Sequence, residues 1–400
     1  MRIGFLFNHD QVHQVAHSLP IALALARGGA GAEIVVATTN PRLTAEVARL
    51  GGALIGHGVQ LVELRLAPGP GRMLAGALEG LLPATKLLIY RDNLDFFRSL
   101  DVLVVAEKTS LILKTRYGLD RLRIVHTRHG AGDRAIGFDA ASAAFDHVLV
   151  SGPKIRDRLI ADAAVDPAKI SVVGYPKFDL SPPRGATHPL QDDGRPVVLY
   201  NPHVSPHLSS WYAAGGRVLD WFLEHDDLHL IFAPHVMLFE RRYVLTIDRL
   251  RIDRPGRIDE RYLRAPNIHI DLGSRASTNM AYTQRADIYL GDVSSQVYEF
   301  LLTPRPCVFL DVHRTPWRED PNYTHWTCGP VIEDVADLGA ALSRARDEHA
   351  SIHRPVQEAL FAYTFDLTEE PSSERAARAL MQFAGLASSS SAVPGAWAAA

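Results

Sequence analysis

One pattern constrains this chain more than any other. Short runs of Val, Ile, Leu and Ala break into polar loops and are followed by helical stretches. In the first half such runs fall at Ile3 to Phe7, Glu33 to Thr38, Gln60 to Leu64, Val102 to Ala106, Arg123 to Thr127, His147 to Ser151 and Ile170 to Val173. Runs that are apolar throughout belong to strands covered on both faces, and helices between them make the strands parallel. The helical pattern of Ala16 to Arg27 stops at Gly28, Gly29 and Gly31, as glycines do when they close a helix. The pattern predicts a doubly wound α/β domain.

The alternation lapses at Ser181 to Arg195, a Pro-, Gly- and charge-rich stretch that reads as a linker. It then restarts. Strands are expected at Pro196 to Tyr200, Leu228 to Ala233, Ile268 to Ile270, Ile288 to Leu290 and Cys307 to Leu310. Helices are expected at Ser210 to Glu224, Arg275 to Arg285, Ser295 to Leu302, Val335 to Glu348 and Ser373 to Ala384. A chain of 400 residues can bury two full cores. The expectation is an N-terminal Rossmann-like domain over 1–185, a C-terminal one over 195–386 and a disordered low-complexity tail over 387–400. Two such halves facing each other across a cleft would take ligands at strand carboxyl ends.

Composition removes several classes of function. The formal net charge is -3 and no block of Lys and Arg breaks it, so nucleic acid is not an expected partner. Cys307 and Cys328 are the only cysteines, which excludes a disulfide framework and a cysteine-based zinc site. The apolar start ends at once in Asn8, His9 and Asp10, unlike a secretory signal, and no stretch reaches the length of a membrane helix. A cytoplasmic protein is expected, with any membrane contact peripheral. Neither the dinucleotide glycine fingerprint nor a P-loop occurs. No metal motif appears either, so no cofactor and no metal is expected.

Four strand ends carry chemistry. Ile124 to Asp133 breaks into a loop with His126, His129, Gly130 and Gly132, followed by Arg134. Glycines let backbone N–H groups approach an anion, and a histidine there can act as base or donor; an ordinary βα turn with surface histidines reads the same way. Val197 to His207 delivers Asn201 and His203, and Leu230 to His235 delivers His235. A single histidine at a strand end is as often structural as functional. Ala286 to Phe300 closes on Asp292 and places Ser294 and Ser295 where a helix begins, with Glu299 one turn further on. Hydroxyls and amides at a helix start can bind an anion or merely cap the helix.

Taken in order, HGAGDR (His129 to Arg134), LYNPHVS (Leu199 to Ser205), APH (Ala233 to His235), DVSSQVYEF (Asp292 to Phe300) and RPCVFLD (Arg305 to Asp311) resemble the CDP-glycerol glycerophosphotransferase family. Those enzymes build polyol phosphates of the teichoic-acid and capsule type on the glycosyltransferase-B fold. The resemblance covers mainly Ile124 to Asp311. It implies that His129 is the general base or a transition-state contact and that His235 contacts the donor phosphates. It implies further that Asp292, Ser294 and Ser295 hold the donor diphosphate, with Glu299 at the acidic position of the next helix. Where the family has Lys, Tyr and Thr-Trp-Arg, this chain has Arg134, Val293 and His203-Val204-Ser205.

The resulting expectation is a metal-independent transferase. A CDP-activated donor binds mainly to the second domain, and a glycan or lipid hydroxyl approaches from the first. Attack on the β-phosphorus releases CMP, with Gly130, Arg134, Asn201 and His203 on the donor side. His129 takes the proton, with Asp133 or His13 next in line. Two rival readings stand: a nucleotide-sugar glycosyltransferase or UDP-sugar 2-epimerase of the same fold, and a non-catalytic nucleotide- or glycan-binding module.

Overall fold

The computed structural model describes residues 1–9, 11–29, 31–68, 84–128, 130–133, 137–180, 193–240, 243–246 and 251–386. The chain divides into two compact units. The first comprises Met1–Gly130, Phe138–Leu180 and the chain from Thr364 on; the second comprises Ala131–Gly137 and Ser181–Tyr363.

The first unit is built on seven parallel strands: β1 (Arg2–Phe7), β2 (Glu33–Thr38), β3 (Val59–Glu63), β4 (Val102–Val105), β5 (Arg123–Thr127), β6 (His147–Val150) and β7 (Ile170–Val172). Their spatial order is β3-β2-β1-β4-β5-β6-β7. Successive side chains go to opposite faces, as the pleat requires. Val102 and Val104 join a core with Ile3, Phe5 and the helix Leu19–Arg27, while Leu103 and Val105 join a second core with Phe97, Phe145 and Ile155. Both faces are covered, which is why the strands read as apolar throughout. The helix Leu19–Arg27 ends as expected, with Gly29 and Gly31 in the left-handed region.

The second unit carries six parallel strands: β8 (Val197–Asn201), β9 (His229–Phe232), β12 (Ile268–Ile270), β13 (Ile288–Gly291), β14 (Cys307–Leu310) and β15 (Val331–Ile332). Their order is β12-β9-β8-β13-β14-β15. A separate antiparallel ribbon, β10 (Val244–Thr246) with β11 (Arg251–Asp253), is inserted between β9 and β12. The helix Trp211–Glu224 packs Ala214, Val218, Leu219 and Phe222 onto one sheet face. Gly215 is obligatory there: a Cβ would stand 2.1 Å from the ring of Trp211, which stacks on Phe232 at 4.8 Å.

Several expectations shift. The helix Ser372–Ala384, anticipated in the second domain, packs in the first unit, burying Ala376, Leu380 and Met381 against Leu19 to Leu25. Its amphipathic stripe matched a neighbour far away in sequence rather than the preceding sheet. The anticipated helix Arg275 to Arg285 breaks at Met280, whose φ is 74°, leaving a turn and the short helix Ala281–Arg285. The helix expected at Ser295 to Leu302 is only Gln296–Phe300. Most of the linker, with the tail, lies outside the described residues, as do His129 and Arg134.

Candidate active site

In the second unit, β8 and β9 lie side by side and end in the same way. Asn201 is followed by Pro202-His203-Val204, and Ala233 by Pro234-His235-Val236. Proline has no N–H to donate, so the strands end here, with a last bond from the His235 N–H to the Pro202 carbonyl at 3.0 Å before the chain turns. Each turn then closes on its own histidine. The N–H of Ser205 donates to Nδ1 of His203 at 2.9 Å, and the N–H of Met237 donates to Nδ1 of His235 at 3.3 Å. An imidazole that accepts at Nδ1 is neutral and carries its proton on Nε2. The two rings lie 5.9 Å apart. Burial pushes His235 down to about 4, so near neutral pH it stays an uncharged N–H donor. The site therefore holds two oriented, neutral donors at adjacent strand ends.

Asp292, which follows β13, fixes this arrangement from below. One carboxylate oxygen accepts the N–H of His203 at 2.9 Å and of Val293 at 2.6 Å. The other accepts the N–H and hydroxyl of Ser210 at 2.7 and 2.9 Å. Burial drives the carboxyl up to about 6, against the pull of these hydrogen bonds. The resemblance assigned Asp292 to the donor diphosphate, yet both of its oxygens are occupied by protein N–H and O–H groups. A carboxylate would in any case repel a phosphate. Its observed work is to hold the His203 turn.

Ser294 is similarly engaged. Its hydroxyl donates to Oδ1 of Asn201 at 2.5 Å, and the Asn201 amide donates to the carbonyl of Ala233 at 2.5 Å. Asn201 thus ties the ends of β8, β9 and β13 together. Ser295, by contrast, is exposed and precedes the helix Gln296–Phe300 without capping it. That helix is too short for a substantial macrodipole, so the anion argument falls back on amides and the Ser295 hydroxyl. Glu299 is buried on it. Arg305 pins the same turn from behind, donating to the carbonyls of Thr283, Gln284, Ala286, Phe300 and Thr303. It closes the carboxyl ends of two short helices at once.

The segment Ala131–Gly137 belongs to this unit and brings Asp133 into it. The Asp133 carboxylate accepts the Tyr298 hydroxyl at 2.5 Å, the His325 N–H at 3.1 Å and His325 Nδ1–H at 2.9 Å. His325 Nε2 lies 3.0 Å from the carbonyl of Asp292, which also accepts Trp326 Nε1–H at 2.7 Å. Both ring nitrogens of His325 face oxygen atoms, one on the Asp133 carboxylate and one on the backbone. Asp133 is therefore spent on these internal hydrogen bonds, and it loses its place as a reserve base. Gly132 sits against Ser295: a Cβ there would come within 3.1 Å of the serine Cβ. Two motifs far apart in the sequence meet in this contact.

In the first unit, polar groups gather where the strand order reverses between β1 and β4. His9, just past β1, places Nδ1 at 3.3 Å from the Glu107 carboxylate, just past β4. Lys86 donates to the same carboxylate at 2.9 Å. Burial would raise Glu107, but the hydrogen bonds from His9 and Lys86 prevail and hold it down at about 2. Asn8 donates to the hydroxyl of Tyr90 at 2.8 Å. Sequence reasoning passed over His9, Lys86, Glu107 and His325. The signal for His9 and Glu107 was present, since both are polar residues directly after apolar runs. Among the histidines it did single out, His126 is buried, stacked on Phe145 at 4.5 Å and bonded to the carbonyl of Ala106. Gly130 takes a φ of 83°, which favours glycine.

No protein-family model matches the chain, and no curated protein matches it in sequence. Solved structures do match in fold. The wall teichoic acid polymerase TagF, as an H444N variant soaked with CDPG, is 14% identical with a TM-score of 0.58, covering 95% of this chain and 88% of that one. UDP-GlcNAc 2-epimerase from Neisseria meningitidis bound to UDP-GlcNAc is 12% identical with a TM-score of 0.56, covering 96% and 99%. The S. aureus MnaA–UDP structure is 13% identical with a TM-score of 0.58, covering 98% and 100%. At such identities the likeness is one of fold. The chain has the glycosyltransferase-B fold shared by that polymerase and those epimerases.

Proposed function

We propose that this chain is a transferase that moves a glycerol-phosphate or related polyol-phosphate unit from a CDP-activated donor to a hydroxyl acceptor. The observation that carries the reading is the pair of neutral histidines at the ends of β8 and β9. Phosphate oxygens are acceptors, and His235 offers an Nε2–H donor whose tautomer is fixed by the backbone, with the His203 ring 5.9 Å away. The Ser295 hydroxyl adds a further exposed donor. A fold shared with a teichoic acid polymerase and with UDP-sugar enzymes supports a nucleotide-activated substrate.

In the proposed step the acceptor oxygen attacks the β-phosphorus of the donor. The new P–O bond forms as the bond to the bridging oxygen breaks, and CMP leaves with that electron pair. His129 takes the acceptor proton, and Arg134 offsets the charge that develops on the transferred phosphoryl oxygens. A second reading, a UDP-sugar 2-epimerase, is favoured by the fold likeness to UDP-bound enzymes.

Incubating the chain with CDP-glycerol, other CDP-polyols and UDP-GlcNAc, and identifying the nucleotide released, separates the readings. CMP released only in the presence of an acceptor supports the transferase; UDP with a free 2-epimerised sugar supports the epimerase. Binding without turnover on any donor would leave a binding module. For the transferase, His129→Ala should cut kcat by about 10²–10⁴-fold with donor affinity little changed. Near-normal kcat at saturating donor would remove His129 as the base.

A further inference from the structure

The chain that leaves β12 runs beside the site, from the His235 turn to Ser295. β12 is the edge strand next to β9, and the N–H of Asp271, the residue after it, still donates to the carbonyl of Phe232 at 2.9 Å. Gly273 then packs on the His235 turn, where a Cβ would stand 3.9 Å from Cβ of Val236. At the far end of the loop the carboxamide of Gln296, the residue after Ser295, donates to the carbonyl of Ser277 at 3.1 Å. The loop 272–279 therefore links the two groups offered to a donor phosphate. Leu272, Gly273, Ser274 and Arg275 are exposed along it.

One buried carboxylate shapes this loop. Asp271 is 7% exposed. Its Oδ1 accepts the N–H of Gly273 at 3.0 Å and of Ser274 at 2.7 Å. Its Oδ2 accepts the hydroxyls of Ser274 and Tyr282, the latter at 2.7 Å. Because the Tyr282 hydroxyl gives its hydrogen to Asp271, Nε2 of His269, 2.9 Å from the same oxygen, is the donor there. His269 lies on β12 and faces away from Ile268 and Ile270, which pack into the core with Leu230 and Phe232. A chain of hydrogen bonds thus starts on the strand, passes the helix Ala281–Arg285 and ends on the loop. Burial would raise Asp271, but the hydrogen bonds from Ser274, Gly273 and Tyr282 hold its carboxyl below the usual range. The loop's exit is constrained as well. Met280 is left-handed, and its carbonyl accepts the Gln284 N–H at 2.9 Å and the Thr283 hydroxyl at 3.1 Å. Such a conformation persists only where its surroundings over-determine it.

We propose that Asp271 is a positioning residue for the donor. Through Gly273 and Ser274 it sets the shape of the wall between His235 and Ser295, and Tyr282 and His269 hold it in that role. Both of its oxygens face the protein, so it acts through the loop rather than by touching the donor. The proposal rests on the reading of His235 and Ser295 as donor contacts, and its test reads nucleotide binding, which needs no turnover.

Titration calorimetry of the full chain with CDP supplies that reading. Asp271→Asn keeps the size of the side chain but turns one accepting oxygen into a donor, and should raise Kd for CDP by about 10- to 10²-fold. Gln296→Ala, which releases Ser277 at the other end of the loop, and Tyr282→Phe should weaken CDP in the same direction by less. A merely structural carboxylate would act through stability alone, so Tyr262→Phe is the control. It loses a 2.7 Å bond to Asp220 ahead of β12 and should lower Tm with Kd unchanged. Once a donor turns over, Asp271→Asn should raise its KM and leave kcat at saturating donor little changed. Unchanged CDP affinity in both Asp271→Asn and Gln296→Ala, or an equal loss in Tyr262→Phe, overturns the proposal. If the wild type binds UDP and not CDP, the CDP-donor reading falls and the same variants are read with UDP. If it binds neither nucleotide, the proposal falls too.

Discussion

The two units carry histidines at equivalent places in the same kind of sheet, yet use them oppositely. At the reversal between β1 and β4, Nδ1 of His9 faces the Glu107 carboxylate, which Lys86 also grips. There the imidazole supports a carboxylate. At the ends of β8 and β9, Nδ1 of His203 and of His235 faces a backbone N–H. There the imidazole is a neutral donor. Fold position alone therefore does not set a histidine's chemistry; the partner of Nδ1 does. A donor phosphate, already anionic, suits the neutral pair because binding it needs no proton uptake.

Four experiments break or sharpen this contrast. The largest effect is expected at the buried hydrogen-bond cluster around Asp133. Asp133 and His325 are almost wholly inaccessible, so Asp133→Ala strands the Tyr298 hydroxyl and the His325 groups that face it and should cost about 3–5 kcal/mol in urea unfolding, at about 1–3 kcal/mol for each stranded donor. A cost under about 1 kcal/mol would mean that these hydrogen bonds do not hold the segment in place.

His235→Ala should lower turnover of the true donor by about 10²–10³-fold, the usual loss for one preorganised donor to a developing oxyanion. His235→Lys, which restores a charge but not the neutral donor, should not rescue it. Full rescue by lysine would show that the site wants charge, erasing the contrast with His9.

The third concerns pH. Held at about 4 against an ordinary value near 6.5, His235 adds stability above pH 6.5 that is lost as pH falls through 4. Asp292, at about 6 against an ordinary value near 3.9, contributes in the other direction: stability is greatest in acid and is lost as pH rises through 6. Each amounts to about 2–3 kcal/mol, and between pH 4 and 6 the two largely cancel. Urea midpoints across that window should fall more steeply in acid for Asp292→Asn than for wild type, and rise in acid for His235→Asn. Parallel profiles for all three proteins would refute the opposed titrations.

The smallest effect belongs to the charged cluster. Glu107 is partly exposed, so Glu107→Gln should cost only about 1 kcal/mol at neutral pH. Because its carboxyl is held at about 2, that difference should persist down to pH 4.5 and vanish as pH falls through 2. A difference that grows in acid would reverse the sign of the assignment.

The parallel sheets were legible because burial on both faces leaves unbroken apolar runs, and every strand end named for chemistry in the second unit does end a strand. What was not legible depends on partners distant in sequence. His325 sits in no periodic segment and acquires meaning only beside Asp133. Ser294 and Asp292 do follow a strand, as the sequence predicts, but their atoms turn inward to Asn201 and Ser210. Residue type at a strand end marks a place; it does not say whether the group meets a ligand or a neighbour. The ribbon β10–β11 escaped because three-residue strands carry too few alternations to register.

The second unit takes in seven residues that lie between β5 and β6 of the first, and the first takes back the helix Ser372–Ala384. Neither unit is thus a contiguous stretch of its gene. A truncation at the linker would yield one fragment whose His325 has lost its Asp133 partner and another whose Leu19 to Leu25 stretch has lost its cover. For anyone wishing to swap one unit between relatives, the exchange must be made at Ala131–Gly137 and at Thr364 as well as at the linker, or the chimera begins life with an orphaned buried histidine and an uncovered apolar face.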